Sequence, residues 1–385
     1  MKKTFAAAFT LAALSATANQ AGALEIRFYP GERVYAYQLD GMRGTNSVLL
    51  HNIAVVNDGA APVRLDEVAI ELLSGGRPVE TRTIGAAELA SAAANGAELQ
   101  RAALFDLLRF QFGGERLLPP GAVLSDDLNL DPGEAVLITS QAVAFRGARE
   151  AARVRVNGGV AARDLPISIE QSKIAYSFPL QGAWYVAAGS SFHTGHRWSP
   201  MEEFAYDFVQ LGADLRTHRG KGTRFADYYA YREPVLAAAP GKVVIAINDE
   251  PENVAAMKRA DETTEVYFER LQQEQFARIA GGGRGVGGSQ VMIDHGNGEY
   301  SFYAHLKPGS VRVKEGDVVE TGALLGLLGS SGNSTEPHLH FQVCDAPDPL
   351  LCAGVPVKWA DVEPLFPDLP RALQSGDLVK KAAAH

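Results

Sequence analysis

Cysteine is scarce in this chain, with two residues, Cys344 and Cys352, among 385. That scarcity excludes a disulfide-dense scaffold, and it excludes a zinc knuckle built from thiolates, which needs further cysteines at other spacings. Positive charge is also in deficit: 36 Lys and Arg stand against 45 Asp and Glu, for a formal net charge of −9. Nucleic acid is therefore not an expected partner, because neutralising phosphates requires a basic footprint. Bulk charge does not hold such a protein on an anionic wall or membrane either, so any wall binding must come from shaped local contacts. Beyond the first residues no apolar run approaches the length that spans a bilayer. Internal repeats and low-complexity tracts are absent as well.

What is present is ordinary globular material, 46% apolar and 21% charged, of a length suited to two domains. Residues 1–23 read as an export signal, with Lys2 and Lys3, an apolar stretch over 5–14 and small residues at Ala21-Gly22-Ala23. Cleavage there leaves Leu24 first and the chain two units more negative. No cysteine lies near that position, so the expected product is periplasmic or extracellular, with no membrane anchor after processing. In an exported protein the two cysteines of VCDAPDPLLCAG are expected to pair. Closing so short a loop contributes roughly 2 to 3 kcal/mol in the chain-entropy model.

The overall pattern is mainly β. Over 24–157 short alternating strands follow turn residues, as where Val68, Ile70 and Leu72 show period two after Asn57-Asp58-Gly59, and Asp131-Pro132-Gly133 introduces a strand near Val136. An immunoglobulin-like β-sandwich of unknown binding role is the expectation, with one or two helices inserted over 86–112. His51 reads as an ordinary strand residue. Asn157-Gly158-Gly159 marks the expected boundary, a second strand-rich domain fills 158–367, and 368–385 reads as a polar, poorly ordered tail. Within the second domain, about 251–280 is charged and helix-favouring, suited to a lid, to an arm that binds a regulatory protein, or to a plain surface insertion. The run GGGRGVGG over 281–288 then returns the chain to a strand, QVMID.

The chemistry is concentrated in histidines. PHLHFQV, 337–343, reads as a strand, and alternation places His338 and His340 on one face, roughly 7 Å apart at their bases, with Leu339 and Phe341 on the other. One imidazole can bind a metal while the other reaches a metal-bound water. YAHL, 303–306, sets His305 near the end of another strand, and SFHTGHRWSPMEEFAYDF supplies His193 and His196 ahead of Asp207. A hydrolytic zinc site needs three protein ligands and one open position, which two histidines and an aspartate satisfy.

The runs IDHGNGEYSFYAHL and VKEGDVVETGALLGLLGSSGNSTEPHLHF resemble, closely and in order, the lysostaphin and LytM family of zinc metalloendopeptidases, and HRWSPMEEFAYDF resembles that family's first metal motif. The resemblance covers about 176–343 without the inserted block; residues 24–157 contribute nothing to it. It implies a β-rich peptidase domain, one Zn2+ ion, and cleavage of peptide bonds in peptidoglycan cross-links or stem peptides. Carried over residue by residue, it makes His196, Asp207 and His340 the metal ligands and His305 and His338 the catalytic histidines. In the shortest family pattern the first His and Asp are four apart, whereas His196 and Asp207 are eleven apart, which leaves His193 as a rival ligand. Zinc lowers the pKa of a bound water from 15.7 to about 7. His338 can then accept a proton and His305 hydrogen-bond the developing oxyanion, with the two roles open to exchange.

His295, in the turn Asp294-His295-Gly296-Asn297-Gly298, reads as a turn residue, and Glu202 and Glu203 as solvated loop residues. A competing function is a catalytically silent module that binds wall peptides or activates another wall hydrolase; retention of a complete ligand set favours the enzyme. VKEGDVVETGALLG also resembles a biotinyl or lipoyl carrier hairpin, but no methionine-flanked lysine occupies its tip.

Overall fold

Turn chemistry sets out the N-terminal strands of the computed structural model, which describes residues 24–257, 259, 262–281, 283, 285–365 and 371–382. The expected export signal lies outside the described residues. Asn57 closes the long strand Thr45–Asn57, and its side-chain oxygen accepts the Gly59 N–H at 3.0 Å, a local bond that reverses the chain. Pro132-Gly133 leads into Glu134–Arg146, which pairs antiparallel with Thr45–Asn57 from Arg146↔Thr45 to Ala135↔Val56.

Two five-stranded sheets result. One orders Leu24–Tyr29, Thr45–Asn57, Glu134–Arg146 and Val123–Leu124, with Tyr37–Asp40 added to Thr45–Asn57. The other orders Val34–Tyr35, Ala161–Ser168, Ala151–Val156, Val68–Ser74 and Arg77–Ile84. Ile53, Val55 and Val136 from the first meet Ile70, Leu72 and Val154 from the second in one buried core. This is coarser than the immunoglobulin-like type expected from the sequence. The inserted helices are three segments, Ala86–Arg101, Leu104–Leu107 and Arg109–Phe112.

The boundary moves. Ala161–Ser168 pairs with Ala151–Val156, so the N-terminal sheets run to Ser168, past the expected end at Asn157. The reason is local backbone: Asn157, Gly158 and Gly159 all take positive φ, which makes a tight reversal within one sheet where a linker was expected.

The second domain is built on a nine-stranded antiparallel sheet. Its order is Val318–Val319, Gly241–Ile247, Ser289–Asp294, Tyr300–Leu306, Leu339–Cys344, Tyr206–Val209, Ala183–Ala188, Leu378–Lys381 and Val362–Pro364. Trp184, Phe208, Tyr303, Leu339, Phe341 and Val343 fill the core on one side. Leu378–Lys381 corrects the expected polar tail: it pairs with Ala183–Tyr185 and buries Val379 completely. A four-residue strand with one apolar face stabilises only by completing a sheet, so its short polar sequence hides it. The charged insertion forms the helix Thr264–Ala280, capped where the Thr263 hydroxyl oxygen accepts the Val266 N–H.

Candidate metal centre

The strand Leu339–Cys344 lies between Tyr206–Val209 and Tyr300–Leu306, with Asp207 and Ala304 directly opposite His340 in the two registers. Residues opposed across a sheet share a face, so Asp207 stands beside His340 although 133 positions separate them. Asp207 Oδ1 is 3.0 Å from His340 Nδ1, and Oδ2 is 3.4 Å from His196 Nε2. One ligand atom from each of His196, Asp207 and His340 lies within 4.8 Å of the others. Two nitrogens and a carboxylate oxygen at about 2.1 Å from a tetrahedral zinc would sit about 3.4 Å apart, so this donor set fits Zn2+. His196 enters from the short helical turn His196–Trp198, and its Nδ1 faces the Ala205 carbonyl at 3.3 Å, which leaves Nε2 for the metal. His193 is exposed and outside this group.

His305 and His338 stand beside the three, their rings 4.7 Å apart. His305 Nδ1 is 2.8 Å from the Ser331 carbonyl and His338 Nδ1 is 2.7 Å from the Glu336 carbonyl. Since a carbonyl only accepts, both Nδ1 atoms carry hydrogen and both Nε2 atoms are left to the cleft. His305 occupies the left-handed region at φ 62°, rare for a non-glycine residue. Its N–H donates to the Gly287 carbonyl at 2.8 Å and its carbonyl accepts from the Gly329 N–H at 3.0 Å, which together hold that conformation. Gly288 permits the approach: it has φ 68°, and a Cβ there would collide with Ser331 and Gly332.

The electrostatics separate these groups. Burial works against the Asp207 charge, yet His196, His338 and His340 outweigh it and hold the carboxyl far below the usual range. Burial likewise opposes charge on His340, but the hydrogen bond and charge of Asp207 push its pKa up to about 9. His305 goes the other way: burial, then the charges of His338 and His340, hold it well below 6.5. The pocket thus attracts a cation at Asp207 and keeps a neutral imidazole next to it.

All five residues line one cavity of about 1040 Å³. Asp106, Phe110 and Gln111 of the N-terminal insertion form part of its wall, and Gln275 and Ile279 of the helix Thr264–Ala280 form another part.

Residues 277–350 match the model of Peptidase family M23. This chain carries an M23 peptidase domain. Similar curated proteins include the DD-carboxypeptidase/endopeptidase Mpg of Neisseria meningitidis, 36% identical over 103 residues, 27% of this chain and 22% of Mpg. Lysostaphin of Staphylococcus simulans is 44% identical over 57 residues, 14% of this chain and 11% of lysostaphin. The peptidoglycan DD-endopeptidase ShyA of Vibrio cholerae is 41% identical over 56 residues, 14% of this chain and 13% of ShyA. The chain thus spans about a fifth or less of the length of these relatives. Among solved structures, the lysostaphin catalytic domain of Staphylococcus simulans aligns over 45% of this chain and 88% of its own, with 19% identity and a TM-score of 0.25.

Three residues around this cleft had no motif to announce them. Glu203, expected in a solvated loop, is buried against His51 and Arg197, and His51 is an interdomain contact where an ordinary strand position was expected. Gln342 follows His340 on the same strand face and hydrogen-bonds its ring. Strand period carried the signal for Gln342; for His51 and Glu203 there was none, since their pairing depends on domain docking. His295 binds the Pro240 carbonyl through Nδ1 at 2.8 Å and Ser301 through Nε2 at 2.9 Å, in keeping with a turn residue.

Proposed function

We propose that the protein is a zinc metalloendopeptidase that hydrolyses peptide bonds in peptidoglycan cross-links or stem peptides, acting in the periplasm or outside the cell. The observation that carries this reading is the convergence of His196, Asp207 and His340 within ligand distance, with His305 and His338 turned to the same cleft. The substrate class is taken from the name of the ShyA relative, a peptidoglycan DD-endopeptidase.

His196 Nε2, an Asp207 oxygen and His340 Nδ1 would hold the ion. When bound, zinc supplies Lewis-acid activation of the attacking water and the scissile carbonyl. His305, neutral and with Nδ1–H committed to Ser331, offers its Nε2 lone pair as proton acceptor. That is the exchanged form of the two roles expected from the sequence. The proton taken up by His305 passes to the leaving amine, and His338, held through Nδ1 by the Glu336 carbonyl, assists at the carbonyl oxygen when its Nε2 also carries hydrogen. The walls contributed by 106–111 and by Thr264–Ala280 make access to the cleft dependent on both insertions, which supports the second reading: a module that binds wall peptides or activates another hydrolase.

The full chain is expected to bind close to one zinc and to release soluble peptides from purified walls, identified by mass spectrometry. Asp207→Asn should lose both properties, and His338→Ala should lose digestion alone. Zinc binding without digestion of any wall chemistry would replace the enzyme with the binding module.

A further inference from the structure

The alternation that sets His338 and His340 on one face continues to Gln342 and Cys344, and all four are buried. Gln342 Oε1 lies 2.9 Å from His340 Nε2. On its other side the Gln342 amide nitrogen points to the Pro349 carbonyl at 3.4 Å and to the sulfurs of Cys344 and Cys352 at 3.8 and 3.6 Å. Those three groups are acceptors only, because Cys344 and Cys352 are joined in a disulfide whose eight-residue separation spans Pro349. The amide NH2 must therefore face the disulfide loop, and the carbonyl oxygen must face His340. An acceptor at Nε2 requires hydrogen there, so the nitrogen that would bind a metal is Nδ1, once the hydrogen it shares with Asp207 is displaced.

We propose that Gln342 is a positioning residue that fixes the ring orientation and tautomer of His340 for a divalent metal, and that the Cys344–Cys352 loop holds the Gln342 amide the right way round. A partner on the far nitrogen of a metal-bound histidine typically changes affinity 10- to 100-fold. The disulfide, separated from His340 by Gln342, thereby acts on the metal through one amide. This rests on His340 being a ligand, which Asp207→Asn tests separately.

The experiment is zinc affinity of the oxidised full chain, read by competition with a chromophoric chelator, with thermal unfolding in EDTA as a check on folding. Gln342→Leu should weaken zinc about 10- to 100-fold. Gln342→Glu, which keeps an acceptor for Nε2–H but sets its second oxygen against the Pro349 carbonyl and the disulfide, should weaken zinc less than Gln342→Leu does. The double variant Cys344→Ala/Cys352→Ala should weaken zinc in the wild-type background and add little in the Gln342→Leu background, as expected for coupled groups. Unchanged affinity in Gln342→Leu, or equal weakening in the Leu and Glu variants, overturns the positioning role. Full additivity with the cysteine variant overturns the loop's part in it. If Asp207→Asn leaves zinc affinity intact, the metal centre itself is wrong; if it abolishes binding while Gln342→Leu does not, only the present proposal fails.

Discussion

His51 and Glu203 meet at 2.8 Å across the seam between the N-terminal sheets and the M23 domain. Glu203 also takes the Arg197 guanidinium, which is fully buried, reaches Ser47 at 3.1 Å and Ser190 at 3.3 Å, and lies over the rings of Tyr37, Phe192 and Phe204. Arg197 and Glu203 lie on the same loop as His196, ahead of the strand Tyr206–Val209. A charged network is thus enclosed where the domains dock, and removing one member strands the others away from water.

Glu203→Ala should cost about 3 to 5 kcal/mol, because it leaves Arg197 buried without its counter-charge. His51→Ala should cost less, about 1 to 3 kcal/mol, as the loss of one buried hydrogen bond. Denaturant unfolding of the metal-free chain measures both. Equal, small effects would mean that water reaches the seam.

His305→Gln should lower kcat about 100- to 10,000-fold, the usual worth of a positioned acid or base. Zinc content should not change, since His305 is not among the converging ligand atoms. Assaying metal and turnover on one preparation separates the two; lost zinc would make His305 a ligand.

Acid should destabilise the metal-free protein. Burial is the first cause that holds His295 and His305 below 6.5 in the folded chain. Unfolded histidines bind protons near 6.5 and these two do not, so the unfolded state holds more protons and stability rises with pH. Their contribution is complete above about 6.5 and is lost below it. His340 has the opposite sign: its contribution is complete below about 6.5 and is lost as pH rises through about 9. The midpoint of thermal unfolding in EDTA should therefore fall on either side of neutrality, and a midpoint that climbs on acidification contradicts the neutral state of the first two rings.

Replacing Cys344 and Cys352 together by alanine should lower stability by about 2 to 3 kcal/mol, the chain entropy released when a loop of this length opens. Matched denaturant curves in the absence of metal isolate that effect from any change in zinc binding. No shift in midpoint would mean that the loop stays closed without its bridge.

Much of the centre was legible in short segments. PHLHFQV declared a strand, which begins at Leu339 with His340 inside it and His338 just ahead of it, and Asn57-Asp58-Gly59 and Asp131-Pro132-Gly133 declared turns, because both signals involve neighbouring residues only. Ala161–Ser168 and Leu378–Lys381 were misjudged because a strand next to glycines, or a short polar one, is defined by the sheet it joins. The left-handed conformation of His305 left no trace in YAHL, since Gly287 and Gly329 impose it from other segments.

By itself the sequence determined which side chains are available and which face of a strand each takes, for the pleat alternates with every residue. Only the tertiary structure decided that Asp207 lies against His340, which nitrogen of each imidazole stays free, and that His51 reaches Glu203 across 152 positions. Register and docking are contests among distant segments, settled by burial over the whole core, and no local pattern encodes their outcome.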